Sequence, residues 1–276
     1  MIYADLHMHS NYSDGILEIE EVLAKAKEAG IQVVAMTDHD ITYHYERVYK
    51  AAKDFGLQAI KGVEMSCYDY DVYKKVHVVG LYLNDYTPHV DKYCEHTLAK
   101  RDAYHAQLIE ELQEQGYDIN YEDAKKFSKY SIVFKMNIFQ ALKEKYPEEM
   151  TPQRYKELFA SQTSIETDMK MGYTDVKDGI QAILKDGGIP ILAHPCQYDN
   201  YEEIDKYVSY GLQGIEISQN KMKEHDYPLT KEYAKKYQLI QSGGSDFHDP
   251  AIHSFGTWGL TEEEFGLFLQ DIASKK

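Results

Sequence analysis

Ala4-Asp5-Leu6-His7-Met8-His9-Ser10-Asn11-Tyr12-Ser13-Asp14-Gly15 decides how this chain is read. The apolar run Met1 to Leu6 is strand-like, and side chains in a strand alternate between faces, so His7 and His9 project from one face with alpha carbons about 6.8 Å apart. That separation lets two imidazoles converge on one ion. Gly15 suits a tight turn that returns Asp14 toward them. His-x-His by itself is more often an ordinary strand pair, so the rest of the chain must supply further ligands.

Working outward, Glu18 to Ala29 carries Ile19, Val22, Leu23 and Ala26 at helical spacing and stops at Gly30, a C-cap residue. Ile31 to Thr37 reads as a buried strand delivering Asp38-His39-Asp40. Thr42 to Phe55 is helical, closed by Gly56, and Leu57 to Val63 reads as a third strand delivering Glu64. Strand, functional group and helix in repetition build a parallel α/β sheet or barrel whose chemistry collects beyond the strands' carboxyl ends. Met65 to Tyr70 and Val76 to Leu83, joined by Asp71 to Lys75, read instead as a hairpin, with His77 at the start of its second arm.

From about Tyr86 to Gly172 no strand-like run occurs, and the composition turns to charged, tyrosine-rich helices: Leu98 to Gln115, Tyr121 to Phe127, Ile132 to Tyr146 and Pro152 to Ala160. An inserted helical cap over 86–172 is expected between two α/β portions, 1–85 and 173–276. The first rhythm then returns. Helix Val176 to Lys185 precedes strand Ile189 to Ala193 and His194-Pro195; helix Tyr201 to Tyr210 precedes strand Gly214 to Ser218. Helix Asp226 to Tyr237 precedes strand Leu239 to Ser242, which ends in Gly243-Gly244-Ser245-Asp246-Phe247-His248. Phe255 to Leu260 and helix Glu262 to Ala273 finish the chain.

The formal net charge of −16 disfavours long nucleic acid as a partner, which needs an exposed cationic surface, but not a small anion held by metals. Cys67, Cys94 and Cys196 are scattered and form no Cys-x-x-Cys, which argues against a disulfide framework or zinc ribbon and for a reducing cytoplasm. Neither a leader segment nor an apolar run of about 18 residues is seen, so secretion and a membrane span are not expected.

The candidate ligands are His7, His9, Asp14, His39, Glu64, His77, His194, Asp246 and His248. All but His77 fall at or just past expected strand ends. Imidazoles and carboxylates without thiolate form the ligand set of Mn, Fe or Zn in a multinuclear hydrolytic site. Three divalent ions would outweigh the carboxylates there and leave a pocket that attracts phosphate.

His-x-His-Ser with Ser13-Asp14-Gly15, Thr37-Asp38-His39-Asp40, Gly62-Val63-Glu64, Ala193-His194-Pro195 and Gly244-Ser245-Asp246-Phe247-His248 resemble, in order and spacing, the polymerase and histidinol phosphatase (PHP) family of metal-dependent phosphoesterases. The resemblance covers about residues 1–85 and 174–260. It implies an α/β fold, a distorted (β/α)7 barrel with a helical insertion, and a trinuclear metal centre. Carried over by motif, His7, His9, Glu64 and Asp246 would hold one ion and Asp14, His39 and His248 a second. Glu64 would bridge to a third held by His77 and His194. Val76 to Leu81 and the following insertion look like the branch of nucleoside 3',5'-bisphosphate phosphatases. That branch carries Arg-Pro-His in the insertion, whereas this chain has Lys135-Met136-Asn137, and lysine cannot grip phosphate in a bidentate fork. Arg101 resembles a phosphate-contacting position, so Arg101 and Lys135 are the expected substrate-binding residues.

The expected reaction is hydrolysis of a small phosphomonoester, a nucleoside 3',5'-bisphosphate or related nucleotide, by a metal-bound hydroxide, with Asp14, Glu64 and His194 taken as catalytic. A histidine near the rim, such as His194, would protonate the leaving group. The alternatives are a histidinol phosphatase, which usually carries a Gly-Ser-x-His not found here, a 5'-end exonuclease on short oligonucleotides, and a non-catalytic metal-binding PHP domain. Asp38 and Asp40 are read either as acceptors that orient imidazoles or, for Asp40, as a helix cap. His44, His225 and His253 are read as surface or packing residues, and Cys196 as a pocket wall.

Overall fold

The computed structural model describes residues 1–130, 132–160 and 164–275. In chain order, β1 (Ile2–Met8), α1 (Ile19–Glu28), β2 (Val33–Met36), α2 (Tyr45–Phe55), β3 (Gln58–Ala59), β4 (Gly62–Asp69) and β5 (Lys74–Leu81) come first. Helices α3 (Pro88–Glu114), α4 (Tyr121–Lys125), α5 (Lys135–Lys145), α6 (Pro152–Leu158) and α7 (Ile165–Met171) follow. Then come β6 (Thr174–Asp175), α8 (Val176–Lys185), β7 (Ile189–Leu192), α9 (Pro195–Tyr198), α10 (Ile204–Ser209) and β8 (Gly214–Ser218). Helix α11 (Asp226–Lys236), β9 (Ile240–Gly243), β10 (Leu260–Thr261) and α12 (Glu262–Lys275) complete the chain.

Local chemistry explains most of these boundaries. Helix α1 starts at a capping box between Glu18 and Glu21 and buries Ile19, Val22, Leu23 and Ala26, the face its periodicity announces. Gly56 ends α2 in the left-handed conformation at φ 65°. Helix α5 begins three residues later than its apolar pattern suggests. Phe134 is extended there, and the Asn137 side chain accepts its backbone N–H at 2.8 Å.

The strands form two sheets, ordered β10-β1-β2-β3 and β6-β4-β5-β7-β8-β9. Two single bridges stitch them together: His39 pairs with Glu64 and Met8 with Phe247. At the first seam Glu64 N–H donates to the Thr37 carbonyl at 3.1 Å and Asp40 N–H to the Glu64 carbonyl at 3.0 Å; at the second, Asp246 N–H donates to the His7 carbonyl at 2.8 Å and His9 N–H to the Phe247 carbonyl at 2.9 Å. Strands β1, β2, β4, β5, β7, β8 and β9 thus follow one another around a distorted ring, with the antiparallel β4–β5 hairpin as the main departure from (β/α) regularity. Both seams lie at residues that carry site chemistry.

The expected strand Leu57 to Val63 is corrected. Its first part is β3, which pairs with β2, and the chain then crosses to the other sheet and starts β4 at Gly62. Glu64 is consequently the third residue of a long strand, and His77 lies inside β5 opposite Ser66. Because Glu64 and Ser66 share a face, Glu64 and His77 are diagonal neighbours across the hairpin.

Helix α3 runs 27 residues and begins ten residues earlier than expected. Its first turns, with Val90 and Cys94, pack into the ring's own core, while Leu108, Ile109 and Leu112 pack into a separate cluster with Ile138, Leu142 and Phe159. The charged residues between those anchors hide the helical stripe of the first half. No helix among the described residues is long and apolar enough to cross a membrane.

Candidate metal centre

All the candidate ligands meet at one end of the ring, on the wall of a cavity of about 1070 Å³ or directly behind it. Glu64 is central. Its Oε2 lies 3.0 Å from His7 Nε2, 3.1 Å from His9 Nε2 and 3.3 Å from His39 Nδ1; its Oε1 lies 2.7 Å from His77 Nδ1 and 2.8 Å from His194 Nε2. Asp246 Oδ1 sits 3.3 Å from His9 Nε2 and 3.6 Å from His7 Nε2. Asp14 reaches His248 Nε2 at 3.2 Å and His39 Nε2 at 3.7 Å.

Donor atoms of these residues cluster in three groups, each within 4.8 Å: His7, His9, Glu64 and Asp246; His9, Asp14, His39 and His248; and His39, Glu64 and His77. The first matches the motif-based grouping. In the second His9 joins the expected set, and in the third His39 stands where His194 was expected, although His194 Nε2 remains against Glu64 Oε1.

The donors suit divalent ions on several counts. Nε2 of His7 and Nε2 of His9 face each other at 3.2 Å, three imidazole nitrogens crowd Glu64 Oε2 within 3.3 Å, and His194 Nδ1 is buried without a hydrogen-bond partner. Buried polar atoms are rarely left unpaired, and a cation between them would satisfy several at once. Burial acts to raise the Glu64 carboxyl, but His7, His39 and His77 hold it well below the usual carboxylate range; His248 and His39 do the same for Asp14. Burial drives His39 down to about 3, outweighing the pull of Glu64 and Asp14. Against burial, the same carboxylates push His7 well up and His9 up to about 10. The carboxylates and His39 thus stand in the protonation states a metal requires, whereas an ion bound by His7 and His9 would displace their protons.

Three of the seven described non-glycine residues with positive φ lie at this site. Asp40, His194 and Asp246 take φ of 58°, 25° and 49°, values that non-glycine residues rarely adopt and that persist where surrounding structure over-determines them. Gly15, by contrast, is required for space. A Cβ there would lie 2.7 Å from the His9 carbonyl oxygen, inside the turn that returns Asp14.

Sequence reasoning missed Glu216, on β8. Its Oε1 lies 2.7 Å from His7 Nδ1 and its Oε2 accepts the His194 backbone N–H at 2.8 Å. The signal was an acidic residue in the otherwise apolar run Gly214 to Ser218. Asp38 orients an imidazole as expected, but that of His44 and not directly that of a candidate ligand. Asp38 accepts from Ser10 N–H, Ser10 Oγ and Ser13 Oγ and pairs with His44 Nε2 at 2.8 Å, so it fixes the ligand loop, and His44 is buried beneath it. Asp40 accepts from Arg101 Nη2 at 3.0 Å and from Ser66 N–H at 2.9 Å, while α2 starts after His44, so Asp40 caps no helix. His225 is exposed, and Nδ1 of His253 accepts the His248 backbone N–H. Gln219 Nε2 contacts Cys196 Sγ at 3.0 Å, and burial pushes that thiol up to about 11, so it stays protonated.

Arg101 and Lys135 both line the cavity. Arg101 is buried, with Nη2 on Asp40 and Ser66 and its guanidinium 4.9 Å from the Phe134 ring centre. Asn137 does not substitute for a phosphate-binding histidine. Both ends of its amide are used, by Phe134 N–H and by the Phe127 carbonyl.

The family model described as PHP domain matches residues 5–240. Over 88% of the chain, the protein is 33% identical to a phosphoribosyl 1,2-cyclic phosphate 1,2-diphosphodiesterase of Eggerthella lenta, covering 93% of that protein. It is 27% identical to a 5'-3' exoribonuclease of Haemophilus influenzae, over 89% of this chain and 90% of that one. It is also 26% identical to a 3',5'-nucleoside bisphosphate phosphatase of Chromobacterium violaceum, over 91% and 88%. The structure of an amidohydrolase from Chromobacterium violaceum superposes with a TM-score of 0.80 at 24% identity, covering 97% of this chain and 96% of that one.

Proposed function

The chain belongs to the PHP-domain family of metal-dependent phosphoesterases, and from that premise we propose that it hydrolyses a phosphate ester in a small substrate carrying a second phosphate. One observation carries the reading. In a chain of net charge −16, the cavity beside the ligand cluster is lined by Lys75, Arg101, Lys135, Lys143, Lys156 and Lys221; among the described lining residues the acidic ones outside the cluster are Glu144 and Asp249, while behind the wall Asp40 pairs with Arg101 and Asp168 with Lys75. A wall of cations facing the cluster suits an anion at each end of the substrate. The names of two relatives agree, since a phosphoribosyl cyclic phosphate and a nucleoside 3',5'-bisphosphate each contain two phosphates.

His7, His9, Asp14, His39, Glu64, His77, His194, Asp246 and His248 would hold three divalent ions, Mn, Fe or Zn. Such ions lower the pKa of coordinated water and offset charge on the phosphoryl oxygens and the leaving oxygen. Glu216 keeps His7 in the tautomer whose Nε2 faces the cluster. His194, with Nε2 against Glu64 Oε1, is buried in the cluster and not at its rim, so we assign it to ion binding and not to protonating the leaving group. Arg101 and Lys135 would hold the second phosphate, and the 86–172 segment would act as a cap that sets specificity. A cavity of about 1070 Å³ suits a nucleotide or a very short oligonucleotide.

Phosphate release by manganese-loaded protein from adenosine 3',5'-bisphosphate, phosphoribosyl 1,2-cyclic phosphate, AMP, histidinol phosphate and a short 5'-phosphorylated oligonucleotide tests the reading. A higher kcat/KM for either of the first two supports it. Preference for AMP or histidinol phosphate overturns the two-phosphate requirement, and preference for the oligonucleotide moves the function to end-directed cleavage.

A further inference from the structure

His105 lies one turn beyond Arg101 on α3, lines the same cavity and is 1% exposed. Its Nδ1 is 2.5 Å from the Val133 carbonyl oxygen, which can only accept, so Nδ1 carries the ring proton. The other nitrogen, Nε2, is then a bare lone pair, and it is buried without a hydrogen-bond partner. Burial, with Arg101 and Lys135 nearby, pushes the imidazole down to about 3, so it stays neutral and Nε2 stays an acceptor.

We infer that His105 is a specificity-determining residue whose Nε2 accepts a hydrogen bond from a sugar hydroxyl of the substrate. The inference rests on the phosphate-site reading above. An ionised phosphate has no proton to donate and is repelled by the lone pair, so it goes to Arg101 and Lys135. Residues four apart on a helix are about 5–6 Å apart at Cβ. The donor that meets His105 therefore lies within a few bonds of the phosphate that Arg101 holds, as a ribose hydroxyl does. Without that donor a buried acceptor stays unpaired, and the site discriminates against deoxy sugars.

Calorimetric binding of AMP, 2'-deoxy-AMP and 3'-deoxy-AMP to the manganese-loaded full chain tests this, with released phosphate measured in the same samples so that heat of hydrolysis is subtracted from heat of binding. At least one deoxy analogue should bind about 10-fold more weakly, the loss expected for one unmade buried hydrogen bond. In His105→Asn the amide still donates to Val133 but no acceptor occupies the Nε2 position, and the AMP-to-deoxy ratio should fall to near one. In His105→Gln an oxygen can stand at the Nε2 position, and part of the ratio should return. Equal affinities of the three nucleotides for the unaltered protein, no AMP binding, or an unchanged ratio in His105→Asn each overturn the inference. The first two need no variant, so they decide even if His105→Asn folds poorly. A phosphate-release preference for a two-phosphate substrate would survive any of these results, so failure of the inference is distinct from failure of the functional reading.

Discussion

The Glu216 carboxylate holds the His7 ring from behind, Oε1 to Nδ1 at 2.7 Å, with both side chains fully buried. It thereby dictates which ring nitrogen faces the cluster, and its other oxygen pins the His194 backbone. Outer partners of this kind are worth roughly 10- to 100-fold in metal affinity. Glu216→Ala should weaken metal retention by that factor in a chelator competition while the far-ultraviolet circular dichroism stays unchanged.

Asp14 is the most exposed of the candidate ligand carboxylates, 27% by side chain, and closes the group with His39 and His248. Because it sits on a turn and not in a strand, its loss spares the ring. Asp14→Ala should keep the melting temperature within a few degrees and lower phosphate release by more than the roughly 100-fold assigned to an outer partner. Full turnover in this variant would remove the cluster from the reaction.

Metal removal should destabilise the chain, because ions that bind only the folded cluster stabilise it by mass action, about 2.7 kcal/mol at a free concentration 100 times Kd. Dialysis against a chelator should lower the melting temperature, and manganese at increasing concentration should raise it again without a plateau at stoichiometry. An unchanged melting curve would mean that the buried donors hold no ion.

Much of the candidate site was legible because candidate ligands tied to backbone periodicity announce themselves. His7 and His9 share a strand face, and His39, His194 and Asp246-Phe247-His248 follow strands that the apolar pattern marks correctly. Glu64 was found but misplaced, since nothing in Leu57 to Val63 tells that the chain leaves one sheet and enters another; long-range pairing decides that. His105 looks like any histidine in an amphipathic helix. Only the Val133 carbonyl, 28 residues away, fixes its tautomer. Arg101 was legible as a residue but not in its surroundings, because its partners Asp40 and Ser66 come from strand ends far away in sequence.

Lys135 gives the second-phosphate site a pH signature. Burial, reinforced by Lys75 and Arg101, lowers its ammonium to about 8, so the cation is present below that pH and is lost above it. For a two-phosphate substrate kcat/KM, which reports the free enzyme, should decline as pH rises through about 8. Lys135→Arg keeps its charge throughout, so the decline should vanish in that variant. A profile that is the same in both proteins would take Lys135 out of substrate binding.

Gly244 shows why the last motif begins with paired glycines. A Cβ on it would stand 2.5 Å from His7 Cβ, closer than carbon atoms pack, and the neighbour is a strand residue that cannot retreat without moving a ligand. The seam hydrogen bond from Asp246 N–H to the His7 carbonyl, 2.8 Å long, lies two residues on and would be strained by the same shift. Overpacking a rigid core costs about 1–3 kcal/mol, so Gly244→Ala should lower stability by at least that amount in urea unfolding. It should also weaken metal binding, because His7 and Asp246 belong to one ligand group. Gly266 is the contrasting control: it lies in α12 with open space where a Cβ would go, and alanine favours helix by about 1 kcal/mol over glycine. Gly266→Ala should therefore stabilise the chain and leave metal affinity unchanged. If both variants behaved alike, the close approach at His7 would not be what requires a glycine at position 244.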